Sequence, residues 1–169
     1  MMTIRRWGLA LVAAMLFVSI FSAASPTLAA QAKHKPAAVN PAAKTETLEI
    51  VTGQGRARFT VELAVTRAQQ AKGLMFRQSL APDHGMLFPY SPPQRTAFWM
   101  KNTLIPLDIV YIAPDGRVLS IARNAVPHDE TPIPSGDLIG GVLEIPGGRA
   151  AQLGILPGDR VLHRIFPKG

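Results

Sequence analysis

The sequence predicts a β-rich α+β domain: a compact twisted sheet curled into a partly closed small barrel, with two short helices. Three observations lead there. Apolar residues alternate with polar ones, as in Phe59, Val61, Leu63 and Val65, the period of a half-buried strand. Turn residues cut the chain at short intervals, among them Gly53-Gln54-Gly55 and Ala113-Pro114-Asp115-Gly116. Helix start and stop signals occur only around two brief segments. A chain of seven or eight such strands curls readily into a small barrel.

The expected elements run in order from Thr47. Leu48–Val51 and Ala57–Val65 are the first two strands. Thr66 then opens a short helix, with Gln69 placed to complete a capping box and Gly73 to end it. Met86–Phe88 and Ala97–Met100 are apolar strands separated by a Pro92-Pro93 loop. Leu107–Ile112 and Arg117–Ala122 form the clearest hairpin. Residues 124–140 hold three prolines and read as one long loop. Gly141–Ile145 is a strand, Gly148 to Leu153 a short helix stopped by Gly154, and Arg160–Phe166 the last strand. The segment from Gly147 to Val161 resembles part of a PDZ domain locally, but a helix, a glycine stop and a Pro-Gly turn are general grammar.

Residues 1–29 read as a signal peptide. Arg5 and Arg6 give a positive start, an apolar run of roughly 15 residues follows, and small residues close it. Cleavage is expected after Ala29 or Ala32. The run falls short of the ~20 residues of a membrane anchor, and the Arg5-Arg6 surroundings match a twin-arginine signal poorly. Residues 30–46 are rich in Ala, Pro and Lys, a composition expected of a disordered tether. One globular domain, 47–169, completes the chain. The expected location is therefore outside the cytoplasm, periplasmic or extracellular.

The chain has no cysteine, which removes lipoprotein anchoring, disulfides, thiolate catalysis and thiolate zinc sites. Its net charge of +7 owes much to the leader and tether: from Leu48 onward there are 13 Lys and Arg against 10 Asp and Glu. These are scattered, so no nucleic-acid partner is expected. No cofactor, no metal and no stable membrane insertion after signal cleavage are expected either; the oligomeric state is left open.

Chemistry concentrates in the run Phe98-Trp99-Met100-Lys101-Asn102-Thr103, followed by Pro106-Leu107-Asp108. Polar groups packed among large apolar ones beside a proline suggest a bend that offers polar atoms next to an aromatic wall. The candidate cleft residues are Arg77, Trp99, Met100, Lys101, Asn102, Thr103, Asp108 and Glu144. Charge within an apolar run is costly unless paired or used. The expectation is that Arg77 or Lys101 meets Asp108 or Glu144 in the cleft, with Trp99 as its buried wall. The plainer reading turns both acids to solvent by strand alternation. No serine has a nucleophile-elbow setting. His128-Asp129-Glu130 lacks a second histidine at ligand spacing. Met75, Met86 and Met100 could bind Cu(I), but sulfur–aromatic packing in the core is the simpler expectation.

Four motifs together give the chain a relative. Gly73-Leu74-Met75-Phe76-Arg77, Gly85-Met86-Leu87-Phe88, the Trp-Met-Lys-Asn-Thr run with Pro106-Leu107-Asp108, and Val142-Leu143-Glu144-Ile145-Pro146-Gly147-Gly148 occur in that order. Over residues 48–166 the chain resembles the domain-of-unknown-function 192 family of bacterial and archaeal proteins. That family has no assigned activity, so the resemblance implies no catalytic residue. The residues themselves suggest a module that binds a small ligand or an envelope protein. The alternatives are an enzyme on a small or envelope-derived substrate, using Asp108 or Glu144 with Lys101, and a purely structural role for the polar motif.

Overall fold

The computed structural model describes residues 44–167. The expected signal peptide and all of the tether before Lys44 lie outside the described residues. Nine strands and two short helices follow in the order β1 (Thr45–Thr52), β2 (Gly55–Leu63), α1 (Arg67–Lys72), β3 (His84–Gln94), β4 (Ala97–Phe98), β5 (Leu107–Ile112), β6 (Val118–Ala125), β7 (Ile133–Pro134), β8 (Ile139–Pro146), α2 (Arg149–Gln152) and β9 (Arg160–Leu162). Seven strands form one sheet in the order β6-β5-β8-β3-β2-β1-β9, and β4 pairs with β7 in a small second sheet.

The main sheet is antiparallel except where β2 lies parallel to β3. That pair needs a crossover, and α1 with its following loop supplies it. The sheet's two ends meet. Arg117 bridges Arg160, while Val118 N–H donates to the Asp159 carbonyl and Val161 N–H to the Gly116 carbonyl, each at 2.8 Å. The partly closed barrel expected from the strand pattern is thus present.

Curling gives the sheet two faces and two cores. Inside the barrel pack Leu48, Ile50, Phe59, Val61, Leu87, Val110, Leu143 and Ile145, joined by Ala150 of α2 and by Phe166. On the outer face Met86, Phe88, Ile109, Tyr111 and Val142 pack beneath Leu74, Met100, Phe98 and Ile133. Every residue of β5 is therefore buried. Alternation alone implies apolar residues inward and the rest to solvent. It holds as a period, but both sides of the central strands are covered.

Several boundaries differ from the sequence reading. β1 starts at Thr45, ahead of the expected Leu48, because Thr45, Glu46 and Thr47 pair with Glu62, Val61 and Thr60 of β2, and Glu46 accepts a two-pronged hydrogen bond from Arg164 at 2.6 and 2.7 Å. β3 continues through Pro92 and Pro93 as far as Gln94, with its pairing to β8 shifted between Pro89 and Gln94. The long loop contains β7, too short to show any period. The helix signals read well. Thr66 caps α1 in a full capping box with Gln69, and Gly73 ends it.

Candidate functional site

Beside the outer core a cleft of about 270 Å³ opens, lined by the end of α1, the following Gly73–Met75, Phe88 and Tyr90 of β3, Phe98 of β4, Trp99, Thr103 and Glu144. Register explains how Glu144 reaches it. Glu62 of β2 sits opposite Met86 of β3, Met86 opposite Glu144 of β8, and Glu144 opposite Ile109 of β5. Residues paired across strands share a face, so all four side chains stand on the outer surface of the barrel. Two acids thus flank a methionine in one row beneath α1 and its loop.

The two acids have different fates. Glu62 takes both guanidinium arms of Arg77, at 2.6 and 2.7 Å. Glu144 is only 5 % exposed, and its Oε2 has no hydrogen-bond partner among the described residues. Burial pushes its carboxyl up to about 8, with only the nearby Arg77 charge pulling the other way. Most buried polar atoms are paired. An unpaired carboxyl oxygen at the base of an opening is one of the few places where a molecule from solvent could supply what the protein does not.

Two glycines make this placement possible. A Cβ on Gly85 would lie 2.6 Å from the Glu144 carbonyl, so only glycine lets β3 approach β8 there. Gly73 has φ 48°, and a Cβ on it would lie 3.4 Å from the Phe88 ring and 3.7 Å from Glu144 Oε2. The helix therefore ends directly over the carboxyl without a side chain to crowd it.

The expected site residues scatter. Trp99 is a correction: it is half exposed on the cleft lining, and the fully buried residue of the pair is its neighbour Met100, which packs in the outer core away from the lining. Lys101 meets neither Asp108 nor Glu144. Its ammonium lies 3.4 Å from Glu130 and 5.6 Å from the centre of the Trp99 ring. Arg77 meets neither acid of the expected pair but Glu62, which carried no sequence signal beyond being a polar residue in an alternating strand. Asp108 is a second correction. It is fully buried away from the cleft, and its Oδ1 accepts from the N–H groups of Asn124 at 2.8 Å and Gly148 at 3.0 Å. Its Oδ2 accepts from Ala150 N–H at 2.8 Å, so the carboxylate ties the start of α2 to β6. Of the eight candidates, Trp99, Thr103 and Glu144 line the cleft.

Asn102 has another part. Phe76, Asn102 and His128 are non-glycine residues with positive φ, at 63°, 54° and 64°. Such backbone is uncommon and sustained only by its surroundings. Here the three are stitched together: Phe76 N–H donates to the Asn102 carbonyl at 2.8 Å, and His128 N–H is shared by the Met100 and Thr103 carbonyls at 3.1 and 3.2 Å. The bend read from Lys101-Asn102-Thr103 is thus a tightly held turn that presents Trp99 at the cleft. Among the described residues no three His, Asp or Glu side chains gather as a metal would require.

A seven-stranded, curled half-barrel with an acid-based cleft defines the class, and sequence comparison defines the group. Residues 49–163 match the family of domain of unknown function 192, described as an uncharacterised group, and the chain belongs to it. Among solved structures, the fold is similar to a protein of unknown function from Novosphingobium aromaticivorans, at 48 % identity over 77 % of this chain and 94 % of that one, with a TM-score of 0.72. It is also similar to a protein from Sinorhizobium meliloti described as a putative transcription regulator, at 44 % identity over 71 % and 94 %, with a TM-score of 0.69. No curated protein matches the chain.

Proposed function

We propose that this chain is an exported binding or accessory domain whose ligand site is the cleft above Glu144. The unpartnered, buried Oε2 at the cleft base carries the reading. Export rests on the positive start, apolar run and small-residue boundary at the N-terminus. The cleft lies just below the roughly 300–1,000 Å³ of drug-sized pockets, which suits a small molecule or the end of a larger one.

Catalysis has one observation in its favour: a carboxyl titrating near neutrality in a cleft fits general acid–base work. The partners expected for it are elsewhere, since Asp108 is spent on backbone donors and Lys101 is off the lining. Binding is therefore favoured. A DNA-reading role has less support, because the described helices span 6 and 4 residues, short for a recognition helix.

Thermal-shift screening of the mature protein, with mass spectrometry of whatever co-purifies, tests the reading. A ligand should raise the melting temperature of the wild type and much less that of Ala71→Trp, which adds a large ring at the cleft lining. A shift that persists undiminished in Ala71→Trp would put binding elsewhere and overturn it. N-terminal sequencing of the exported form should find Ala30 or Lys33 first.

A further inference from the structure

Resting on the cleft being a binding site, we propose that its ligand is a small organic cation: an ammonium or amidinium group, carried on an apolar body, that seats on the Glu144 carboxylate.

The charges facing Glu144 leave one seat open. From the loop after α1, Arg77 is engaged by Glu62 of β2 through both arms. From α1, Lys72 lines the cleft from its exposed end. From β3 and β5 come the Tyr90 and Tyr111 hydroxyls, both held in their neutral form by burial. The Tyr111 hydroxyl already donates to the Ile133 carbonyl. From the 100–103 turn, Lys101 turns outward to Glu130. Among the described residues no cation is hydrogen-bonded to Oε2. A visiting one would be.

The lining fits the rest of such a molecule. Phe88 and Phe98 meet edge to face at 5.0 Å, and Trp99, one face of whose ring is taken by the Lys101 ammonium at 5.6 Å, stands half exposed at the cleft. Aromatic rings around a single carboxylate attract a cation through both their electron-rich faces and the charge. The residue type matters as well. Glutamine would fill the same shape and avoid burying an acid. A carboxyl gains over the amide when a cation turns it into a carboxylate in place. Binding then follows a balanced exchange: the neutral carboxyl gives its proton to solvent, and the ligand's positive charge takes its place as an ion pair.

Three probes of one shape separate the possibilities: benzylammonium, benzyl alcohol and benzoate. They are titrated to about 10 mM into the full mature protein, a range that detects even millimolar affinity. Binding is followed by NMR shifts of the cleft residues and by calorimetry at pH 7 in buffers of different ionisation heat. Benzylammonium should bind, release most of a proton at pH 7, and tighten as pH rises from 6 before levelling off above the carboxyl's raised titration. Glu144→Gln should weaken it at least tenfold and remove the proton release, and Ala71→Trp should weaken it too. Tighter binding of benzoate or benzyl alcohol in the cleft would overturn the cation assignment while leaving the cleft a binding site. So would benzylammonium binding that survives Glu144→Gln. Silence of all three probes, beside a library ligand that binds the cleft without a positive charge, would also overturn it alone. If neither probes nor library bind, both readings fall.

Discussion

Replacing Glu144 by glutamine keeps the side chain's shape and removes its titration, so the variant isolates the cost of burying an acid. The folded carboxyl is held up at about 8 against an ordinary 4.5. Below pH 4.5 both folded and unfolded chains are protonated and nothing is lost. Between 4.5 and 8 the unfolded chain gives up its proton more readily, so the wild type loses stability as pH rises, and the loss levels off above 8. Relative to wild type, Glu144→Gln should gain on the order of 3 kcal/mol between pH 4 and pH 7, read by urea titration at both. A pH-independent difference would contradict the buried acid. Elsewhere in the site, position decides the size of the effect. Met100→Ala should cost roughly 2–5 kcal/mol, because its side chain is fully buried. Lys101→Ala removes an exposed pair and should cost about 0.5 kcal/mol or less. Trp99→Ala, at a half-exposed residue, should fall between the two.

Among the elements, α2 depends most on a single distant side chain. A helix spanning 4 residues has hardly any bonds of its own, and Gly148 offers it no side-chain cap. Asp108 takes that part from β5. Asp108→Ala would orphan three N–H groups at once and should cost on the order of 3 kcal/mol or more, measured by denaturant titration. Lost amide protection at Gly148 and Ala150 would locate the damage. This role could not be read from the sequence, since its partners are backbone groups and an aspartate in an apolar run looks the same whether it serves a ligand or a helix end. What was legible was local: the alternation of β2, the Thr66 and Gln69 box, the turn at Pro114-Asp115-Gly116. The misreadings were pairings between distant residues. Nothing near Arg77 names Glu62, and nothing near Glu46 names Arg164. Glu144 was found because an acid inside Val-Leu-Ile is conspicuous. That it is alone, rather than paired with Lys101, depends on which way the positive-φ turn at Asn102 points its neighbours.

At the scale of the molecule, β1 opens the barrel at Thr45. A chain starting at Lys44 keeps every pairing of β1 and should melt within about 2 °C of one starting at Ala30, in line with the composition of residues 30–43. Starting at Leu48 instead removes Glu46 together with its bond to Arg164 and its contact with His163, and should lower the melting temperature by several degrees. Differential scanning calorimetry of the two truncations distinguishes a boundary at Thr45 from one at Thr47.

The pairing of β1 with β9 sets a timetable as well as a shape. Glu46 and Arg164 are separated by 118 residues, so the outer edge of the first strand waits for nearly the whole domain to be made before its partner exists. Closing so long a loop comes late and slowly, and refolding in milliseconds to seconds is expected rather than microseconds. Until then the nascent chain carries an open strand edge able to pair with a stranger. Chains stopped before Arg160 should consequently associate more readily than those that include β9.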